Sequence, residues 1–477
     1  IEMSLHSRRK FLNNIWKGCI GMGMTGFLPS CTRGVVKAES DLPIFDDVDI
    51  CVLGGSCTGV FAAVRAARLG AKVAVVEKQN AFGGVATNSL VNVWHSLYDV
   101  GKKQRIIAGL TQEVIDRLNE RDAVERNPNP SSAYRLNSQE LKIELDELVL
   151  ESGIHPHFHT LFSEPYLDGD GNLTGVIVDG KSGRGIINAK YFIDATGDGD
   201  LCYRLGLKTY TFDLLQPPTV CAHLEGLDLG VYESVLKEHG QEFNIPSGTA
   251  WGVYLPNTHV FMFAGTRVYG ADCSDAGNLT KAEMEGRRQI RAIMDMMRKY
   301  GNDGNIPRLV TLPSYIGVRE TRHVECLYQI SDEDALYGRR FDDAIANGSY
   351  VFDLHHQDKP GLTFRHLDGT EIYSRPGFPD QVGRWREKTE VNPTFYQVPL
   401  RSLIPKKYDN VMLAGRMIDA SVVAYSGIRV MVNMNQVGEA AGVTSYLAWK
   451  LPRRRAGEHG RLYRPSGGPV LLYRPRG

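Results

Sequence analysis

The stretch Ile50–Ala63, ICVLGGSCTGVFAA, constrains the fold most, because it combines a buried strand, a glycine turn and the start of a helix. The strand extends over Val48–Leu53, and Val60–Gly70 has the composition of a helix that ends at a glycine. Ala71–Val76 then has the composition of a second strand. A β-α-β unit of about 30 residues around a glycine turn predicts a parallel sheet that binds a dinucleotide.

The turn departs from the usual G-x-G-x-x-G spacing at one position. Gly54 and Gly59 take the outer glycine positions, whereas Ser56 stands at the middle one, where the backbone approaches a pyrophosphate. A negative φ at Ser56 keeps the loop compatible with a nucleotide and lets the hydroxyl donate to a phosphate. Glu77 follows Gly59 by 18 residues, where a carboxylate binds ribose hydroxyls and disfavours a 2′-phosphate. We expect Gly54, Gly55, Ser56, Gly59 and Glu77 to bind FAD or NAD; the alternative is a chance β-α-β unit.

Two further segments favour FAD over NAD. FGGVATNS, at Phe82–Ser89, places two glycines after the second strand, where small residues let a flavin lie against backbone. Asn172–Leu201 contains two predicted strands, Leu173–Asp179 and Gly185–Ile193, which lead into the small-residue run ATGDGD. The cofactor contacts expected in these segments are Gly83, Gly84, Thr87, Thr196, Gly197 and Asp198.

A third segment, Tyr408–Ala448, completes the predicted cofactor site. Val411–Ala414 is a predicted short strand, and a loop containing Ser426–Arg429 precedes a predicted helix over Val430–Leu447. A helix that begins beside a flavin directs its positive end at the ring and favours the anionic reduced form. The contacts expected here are Gly415, Arg416, Gly427 and Arg429.

These motifs resemble those of the FAD-dependent oxidoreductase family, which comprises exported and cytosolic bacterial flavoproteins of the glutathione-reductase-like superfold. The resemblance spans roughly residues 45–448 and departs from the family pattern at Ser56 and at Cys57-Thr58, where Pro-Ala is common. The matching positions are Gly54–Gly59, Glu77, Gly83–Thr87, Ile193–Leu201, Gly317–Arg322, Ala414–Arg416 and Gly427–Gly442.

The resemblance implies an α/β fold and non-covalently bound FAD. A Rossmann-like FAD-binding domain with a parallel sheet is expected from residues 45–205 and 400–448. Residues 206–399 are expected to interrupt it as a mostly β (α+β) substrate domain, with the active site where the two domains meet.

Four residues are candidates for catalysis. Arg319 and His323 are expected to share one face of a strand, where the guanidinium group could clamp a carboxylate; the alternative is a structural Arg–Glu pair. His355, more than its neighbour His356, is a candidate base. His95 follows the flavin loop and is a candidate for substrate or flavin contact. Plain packing is the alternative for each histidine.

The predicted reaction is hydride transfer between an unidentified organic substrate and flavin N5, and the electron donor or acceptor is unknown. One alternative is a fumarate-reductase-like enzyme that reduces an activated double bond. The other is a surface lipoprotein that binds a glycan and keeps the flavin for structure. No cysteine or histidine cluster has metal-ligand spacing, so no metal is predicted.

Residues 1–34 have the pattern of an export signal. Ser7–Leu12, SRRKFL, is typical of a twin-arginine signal, and Ile15–Leu28 is a short apolar run. Cys31 ends a lipobox-like sequence, which predicts lipidation and anchoring there. The protein is therefore expected to be periplasmic, or a membrane-anchored lipoprotein on the cell surface side.

The formal net charge is zero, so bulk charge predicts no nucleic-acid partner. Residues 451–477 hold seven arginines and one glutamate without an apolar period, and are predicted to be a disordered basic tail or a sequence artefact.

Overall fold

The computed structural model describes residues 42–127, 133–246, 248, 250–301, 306–356, 358–375 and 378–450. The predicted export signal, Cys31 and the predicted basic tail lie outside the described residues. None of the described helices combines the length and apolarity needed to cross a membrane.

The described residues form strands and helices throughout their length. The strands are β1 (Ile44–Asp47), β2 (Ile50–Leu53), β3 (Val73–Val76), β4 (Val93–Trp94), β5 (Val124–Arg126), β6 (Tyr134–Leu136), β7 (His155–His157), β8 (Thr160–Leu167), β9 (Leu173–Gly180), β10 (Gly183–Asn188), β11 (Tyr191–Asp194) and β12 (Thr209–Tyr210). They continue as β13 (Ala222–Glu225), β14 (Trp251–Tyr254), β15 (Phe261–Ala264), β16 (Arg308–Thr311), β17 (His323–Val324), β18 (Ala344–Gly348), β19 (Phe352–His355), β20 (Leu362–Arg365), β21 (Thr370–Ser374), β22 (Gln381–Arg384), β23 (Tyr396–Pro399) and β24 (Val411–Leu413). The α-helices are α1 (Cys57–Arg68), α2 (Leu110–Asn119), α3 (Ser138–Glu151), α4 (Asp200–Arg204), α5 (Leu229–His239), α6 (Ala276–Tyr300), α7 (Asp332–Leu336), α8 (Val422–Ile428) and α9 (Met431–Lys450).

A five-stranded parallel sheet, in the order β24-β11-β2-β3-β7, forms the centre of the fold. Ile50 of β2 pairs with Val73 of β3 on one side and with Tyr191 of β11 on the other. The residues of β2 and β3 are buried throughout, as in a parallel sheet covered on both faces. The expected α/β fold with a parallel sheet is confirmed.

Two glycines of α9 face α1 and let the two helices pack closely. A Cβ atom at Gly438 would lie 2.1 Å from the Thr58 carbonyl oxygen, and one at Gly442 would lie 2.1 Å from that of Ala62. The small residues that marked both helices in the sequence therefore let the two backbones meet. The contact places α1 and α9, which lie far apart in sequence, side by side.

The segment 206–399 contains antiparallel sheets in the orders β14-β15-β13-β16 and β19-β20-β21-β22. A second apolar core, formed by residues between Val220 and Val318, packs β13 and β15 against α5 and α6. Strand β23 of this segment pairs with β18, and β17 pairs with β12.

The structure differs from the sequence prediction in two elements. The predicted strand Gly185–Ile193 is two strands, since β10 pairs antiparallel with β9 whereas β11 joins the parallel sheet. Alternation alone does not show that the chain changes sheets. Residues 422–428 were expected to lie in a loop but form helix α8. Asp332 Oδ1, from a distant part of the chain, accepts hydrogen bonds from the N–H groups of Val423 and Ala424 and so caps the start of this helix.

Candidate functional site

A cavity of about 690 Å³ opens at the carboxyl ends of β2, β3, β11 and β24, where open α/β sheets bind their ligands. Most of the predicted site residues line it: Gly54, Ser56, Glu77, Gly83, Gly84, His95, Thr196, Gly197, Asp198, Arg319, His355, Gly415, Arg416 and Arg429. The structure brings together residues from all three predicted cofactor segments and from the 206–399 insertion.

The glycine turn after β2 leaves no room for a side chain at its first position. Gly54 has φ +107°, and a Cβ atom there would lie 2.2 Å from the carbonyl oxygen of Ala195. Ser56 has φ −62° and caps α1, since its Oγ accepts a hydrogen bond from the N–H of Gly59 at 3.4 Å. The loop therefore accommodates serine without backbone strain, and helix α1 begins three residues earlier than predicted.

Glu77 follows β3 and lies in the cavity wall beside this turn. Its Oε2 accepts a hydrogen bond from the N–H of Gly55 at 2.7 Å, and its Oε1 accepts one from the N–H of Gln79 at 2.7 Å. Burial raises the pKa of Glu77, and these backbone donors oppose that rise. The backbone N–H of Gly55 thus holds the Glu77 carboxylate in place, and Gly55 itself does not line the cavity.

Asp198 and Arg416 form a buried pair on the wall contributed by β11 and β24. Arg416 Nη2 donates to Asp198 Oδ1 at 2.5 Å, and Thr321 Oγ1 donates to the same oxygen at 2.7 Å. A Cβ atom at Gly197 would lie 2.3 Å from Arg416 Nη1, so the absence of a side chain admits the guanidinium group. Arg416 Nε is buried without a hydrogen-bond partner among the described residues.

The first part of the cavity, lined by Gly54, Ser56, Glu77, Asp198 and Arg416, fits a dinucleotide cofactor. Helices α1 and α9 both begin at its wall, and neither has an acidic residue in its first turn to neutralise the helix dipole. Both amide atoms of Asn435 in α9, which also lines the cavity, are buried without partners in the described part of the chain. Such orphaned groups are expected where a bound ligand completes the hydrogen bonding.

The second part of the cavity is lined by a cluster of charged and aromatic side chains: Arg319, Tyr350, Asp353, His355 and Arg429. His355 Nε2 lies 3.2 Å from Asp353 Oδ2, which also accepts a hydrogen bond from Tyr350 Oη at 3.2 Å. Arg429 Nη2 reaches the same oxygen at 3.5 Å. Arg319 Nη1 donates to backbone and side-chain oxygens nearby, and all five side chains line the cavity.

Electrostatics keep the Asp353–His355 pair as a carboxylate and a neutral imidazole at neutral pH. Burial lowers the pKa of His355 to about 3. The negative charge of Asp353 opposes this shift, and the positive charge of Arg319 offsets part of that opposition. Burial raises the pKa of Asp353, but His355 and Arg429 outweigh burial and hold that pKa below its usual range. The Nε2–H then donates to Asp353, which leaves Nδ1, without a partner among the described residues, as the acceptor.

His95 lies beside this cluster, where its ring packs at a tilt of 32° against that of Tyr350 with centroids 4.0 Å apart. Burial lowers the pKa of His95 to about 4, so it is also neutral near pH 7. Sequence reasoning missed Asp353, Tyr350 and Asn435. Asp353 had a usable signal, because residues i and i+2 of a strand share a face and it precedes the predicted base by two residues.

Five predicted site residues lie outside the cavity lining: Gly55, Gly59, Thr87, His323 and Gly427. Thr87 Oγ1 donates to the Phe82 carbonyl oxygen at 2.6 Å, and a Cβ atom at Gly427 would lie 2.7 Å from the Phe352 ring. Gly59 packs on the carbonyl oxygen of Gly54. These residues pack around the residues that line the cavity and do not line it themselves.

The expectation that Arg319 and His323 share a strand face is wrong. Arg319 precedes β17 and lies outside any strand, whereas His323 begins β17 and is fully buried. His323 contacts the Ile418 carbonyl oxygen and Glu320 instead of the cavity. His356 also lies outside the lining, with Nε2 2.7 Å from Thr363 Oγ1.

Substitutions at Ser56 test how much room the turn has. We expect Ser56→Gly to change FAD retention little, because glycine at a helix N-cap costs only a few tenths of a kcal/mol. Ser56→Leu should release most of the FAD, since Ser56 lines the cavity and the larger leucine side chain would occupy space beside the glycine turn. The ratio of absorbance at the flavin band to that at the protein band measures retention. Equal retention in both variants would contradict the proximity of this residue to the ligand.

Comparisons with known proteins agree with this geometry. The family model described as FAD dependent oxidoreductase matches residues 49–453. A curated relative, dihydrolipoyl dehydrogenase of Trypanosoma brucei brucei, is 41% identical over 64 residues, which cover 12% of this chain and 13% of that protein. The chain thus spans only a small part of that relative's length.

Solved structures that are similar to this chain are distant in sequence. A geranylgeranyl bacteriochlorophyll reductase-like protein of Thermoplasma acidophilum is 12% identical, with a TM-score of 0.45, over 84% of this chain and 79% of that chain. A triple mutant of the flavin-dependent brominase Bmp2 is 11% identical, with a TM-score of 0.44, over 84% of this chain and 82% of that chain. From the family match, which covers most of the sequence and includes every cofactor segment, this chain is an enzyme of the FAD-dependent oxidoreductase family.

Proposed function

We propose that the enzyme transfers a hydride between an organic substrate that carries a hydroxyl group and N5 of FAD, with His355 as the base. The neutral His355 paired to an ionised Asp353 in the cavity wall carries this proposal. When bound, FAD supplies a two-electron acceptor that takes the hydride. The redox chemistry belongs to the cofactor, and the protein supplies binding, orientation and proton transfer.

The residues of the first part of the cavity would hold the cofactor. The Gly54–Ser56 turn and the start of α1 offer N–H groups and a helix dipole to the pyrophosphate. Glu77 is fixed at the end of β3 to accept hydrogen bonds from ribose hydroxyls. Asn435 offers an amide group without partners among the described residues, and the start of α9 offers its helix dipole, to the flavin end.

The residues of the second part would handle the proton and the substrate charge. His355 accepts the hydroxyl proton at Nδ1, and Asp353 stabilises the imidazolium that forms through the Nε2 hydrogen bond. Arg319 and Arg429 bind a negatively charged group of the substrate and so position it beside His355.

Anaerobic spectroscopy of the purified enzyme tests this proposal. The protein should be yellow and release FAD on heating, and a hydroxyl-bearing compound from a panel of sugars and hydroxy acids should bleach the flavin. Bleached enzyme that is reoxidised by fumarate-type acceptors alone would instead support double-bond reduction, for which Arg319 and Arg429 are the available clamp. A flavin inert to both panels would support a glycan-binding protein with a structural flavin.

The pH dependence of flavin reduction should reflect the low pKa of His355. The base acts in its unprotonated form, and its pKa of about 3 leaves it unprotonated at all higher pH values. We therefore expect the rate of bleaching to be constant from about pH 5 to about pH 8. Stopped-flow measurements across this range check it. A rate that falls about tenfold per unit below pH 6.5, the ordinary histidine value, would contradict the lowered pKa of His355 and leave a histidine as the base.

We also propose that the enzyme is exported and acts on a small molecule outside the cytoplasm, with an electron partner still to be identified. The SRRKFL sequence at Ser7–Leu12 and the lipobox-like sequence at Cys31 support this. Export of a folded protein suits an enzyme that acquires FAD first. Recovery of the full chain in the cytoplasmic fraction alone would contradict it.

A further inference from the structure

The cluster of five side chains in the second part of the cavity contains two guanidinium groups and one carboxylate. Arg319 and Arg429 both line it, and Asp353 is the carboxylate in contact with Arg429. Burial lowers the pKa of Arg319 to about 9, and the positive charges of Arg429 and Arg267 add to that effect. Buried charges in proteins are normally paired, so one negative charge is missing here.

Arg319 is held as a ligand-binding group and not as half of a structural ion pair. Its Nη1 donates to the Pro217 carbonyl oxygen and to Thr219 Oγ1, both at 2.5 Å. The adjacent Glu320 is engaged elsewhere, with Oε2 accepting a hydrogen bond from the N–H of Gln216 at 2.7 Å. Among the described residues, no carboxylate forms an ion pair with Arg319.

The unpaired atoms beside these arginines describe the missing partner. Arg429 Nε is a buried donor without an acceptor, whereas His355 Nδ1 and Asp353 Oδ1 are buried acceptors without donors, within the described part of the chain. A partner for Arg429 Nε and His355 Nδ1 presents an anionic oxygen to the guanidinium groups and an O–H group to the imidazole.

We propose that the substrate is a hydroxy carboxylic acid, with its carboxylate held by Arg319 and Arg429 and its hydroxyl donating to His355. This inference rests on the proposed function and narrows it to a substrate class. In the reaction, the O–H proton moves to His355, and the carbon-bound hydrogen leaves with its electron pair to FAD. The hydroxyl carbon becomes a carbonyl, so the product is an oxo acid.

Calorimetric titration with matched acids and amides tests the carboxylate site without relying on turnover. The probes are lactate and lactamide, mandelate and mandelamide, and gluconate and gluconamide, which cover three sizes. We expect at least one acid to bind about 10- to 100-fold more tightly than its amide, the range expected for a charge-assisted hydrogen bond. Arg319→Gln should abolish that preference, and Arg319→Lys should restore part of it.

Arg298→Gln is the matched control, because Arg298 is exposed on α6 and pairs with Asp295 outside the cavity. It should bind acid and amide as the unmodified enzyme does. Acids and amides that bind equally, no binding of any acid, or a preference that survives Arg319→Gln would overturn the proposal. Loss of FAD from Arg319→Gln with an unchanged acid preference would show that the guanidinium group serves the cofactor alone, which also overturns it.

The same samples separate this inference from the proposed function. Protein that prefers acids but lacks FAD, or whose FAD no hydroxy acid bleaches, would refute hydride transfer and leave the carboxylate site standing. Protein whose FAD is bleached by neutral alcohols, with no preference for acids, would refute the substrate class and leave hydride transfer standing.

Discussion

His355→Asn should slow reduction of the bound flavin by about 10²- to 10⁴-fold, the usual contribution of a general base. Asparagine keeps a polar group of smaller size beside Asp353, but it has no nitrogen that takes up a proton. The loss should appear in the first-order rate of bleaching by the active panel compound, measured by anaerobic stopped flow. FAD content should stay near that of the unmodified enzyme, since the cofactor segments are untouched.

His356→Asn is the control for this variant. His356 is the next residue, is half-buried and bonds to Thr363 Oγ1, and it does not line the cavity. Its bleaching rate should remain within about twofold of the unmodified rate, as expected of a residue without a catalytic role. Equal losses in the two variants would remove the case for His355 as the base.

Gly54→Ala should yield protein without bound FAD. Alanine at φ +107° is strained, and its Cβ would lie 2.2 Å from the Ala195 carbonyl oxygen, so β2 and β11 would have to separate where the cofactor loop begins. The flavin band of the purified protein and the midpoint of urea unfolding should both fall. Loss of stability is expected to exceed the roughly 1–3 kcal/mol that a strained backbone costs by itself.

Gly70→Ala separates the collision from the backbone strain. Gly70 has nearly the same conformation, with φ +103°, but no atom lies within 4 Å of a Cβ atom placed there. This variant should be destabilised by strain and keep its FAD. If both variants lose FAD to the same extent, the close packing of Gly54 against Ala195 is not what forms the site.

Local patterns made the cofactor half of the site predictable. The turn from Gly54 to Gly59 and the carboxylate at Glu77 belong to one β-α-β unit, so sequence spacing determines their positions. The serine at position 56 was compatible for a local reason as well, because an N-cap residue needs only an extended backbone and an oxygen acceptor.

Contacts between distant residues were not predictable. Arg416 pairs with Asp198 across 218 residues of sequence, and Asp332 caps α8 from more than 80 residues away. Spacing also placed His323 wrongly, because the segment from Arg319 to β17 is not part of a strand. The pairing of Asp353 with His355 lay within reach of sequence reasoning, since alternate residues of a strand face the same way.

The glycine contact between α1 and α9 has a consequence for how the enzyme is made. The edge of β11 that pairs with β24 and the side of α1 that faces Gly438 and Gly442 are covered by residues synthesised some 200 to 380 positions later. Such a high contact order means that a ribosome-bound chain exposes this surface until residues 431–450 have been synthesised. FAD bound by both α1 and α9, the proposed arrangement, can therefore be held in full only after α9 has been made.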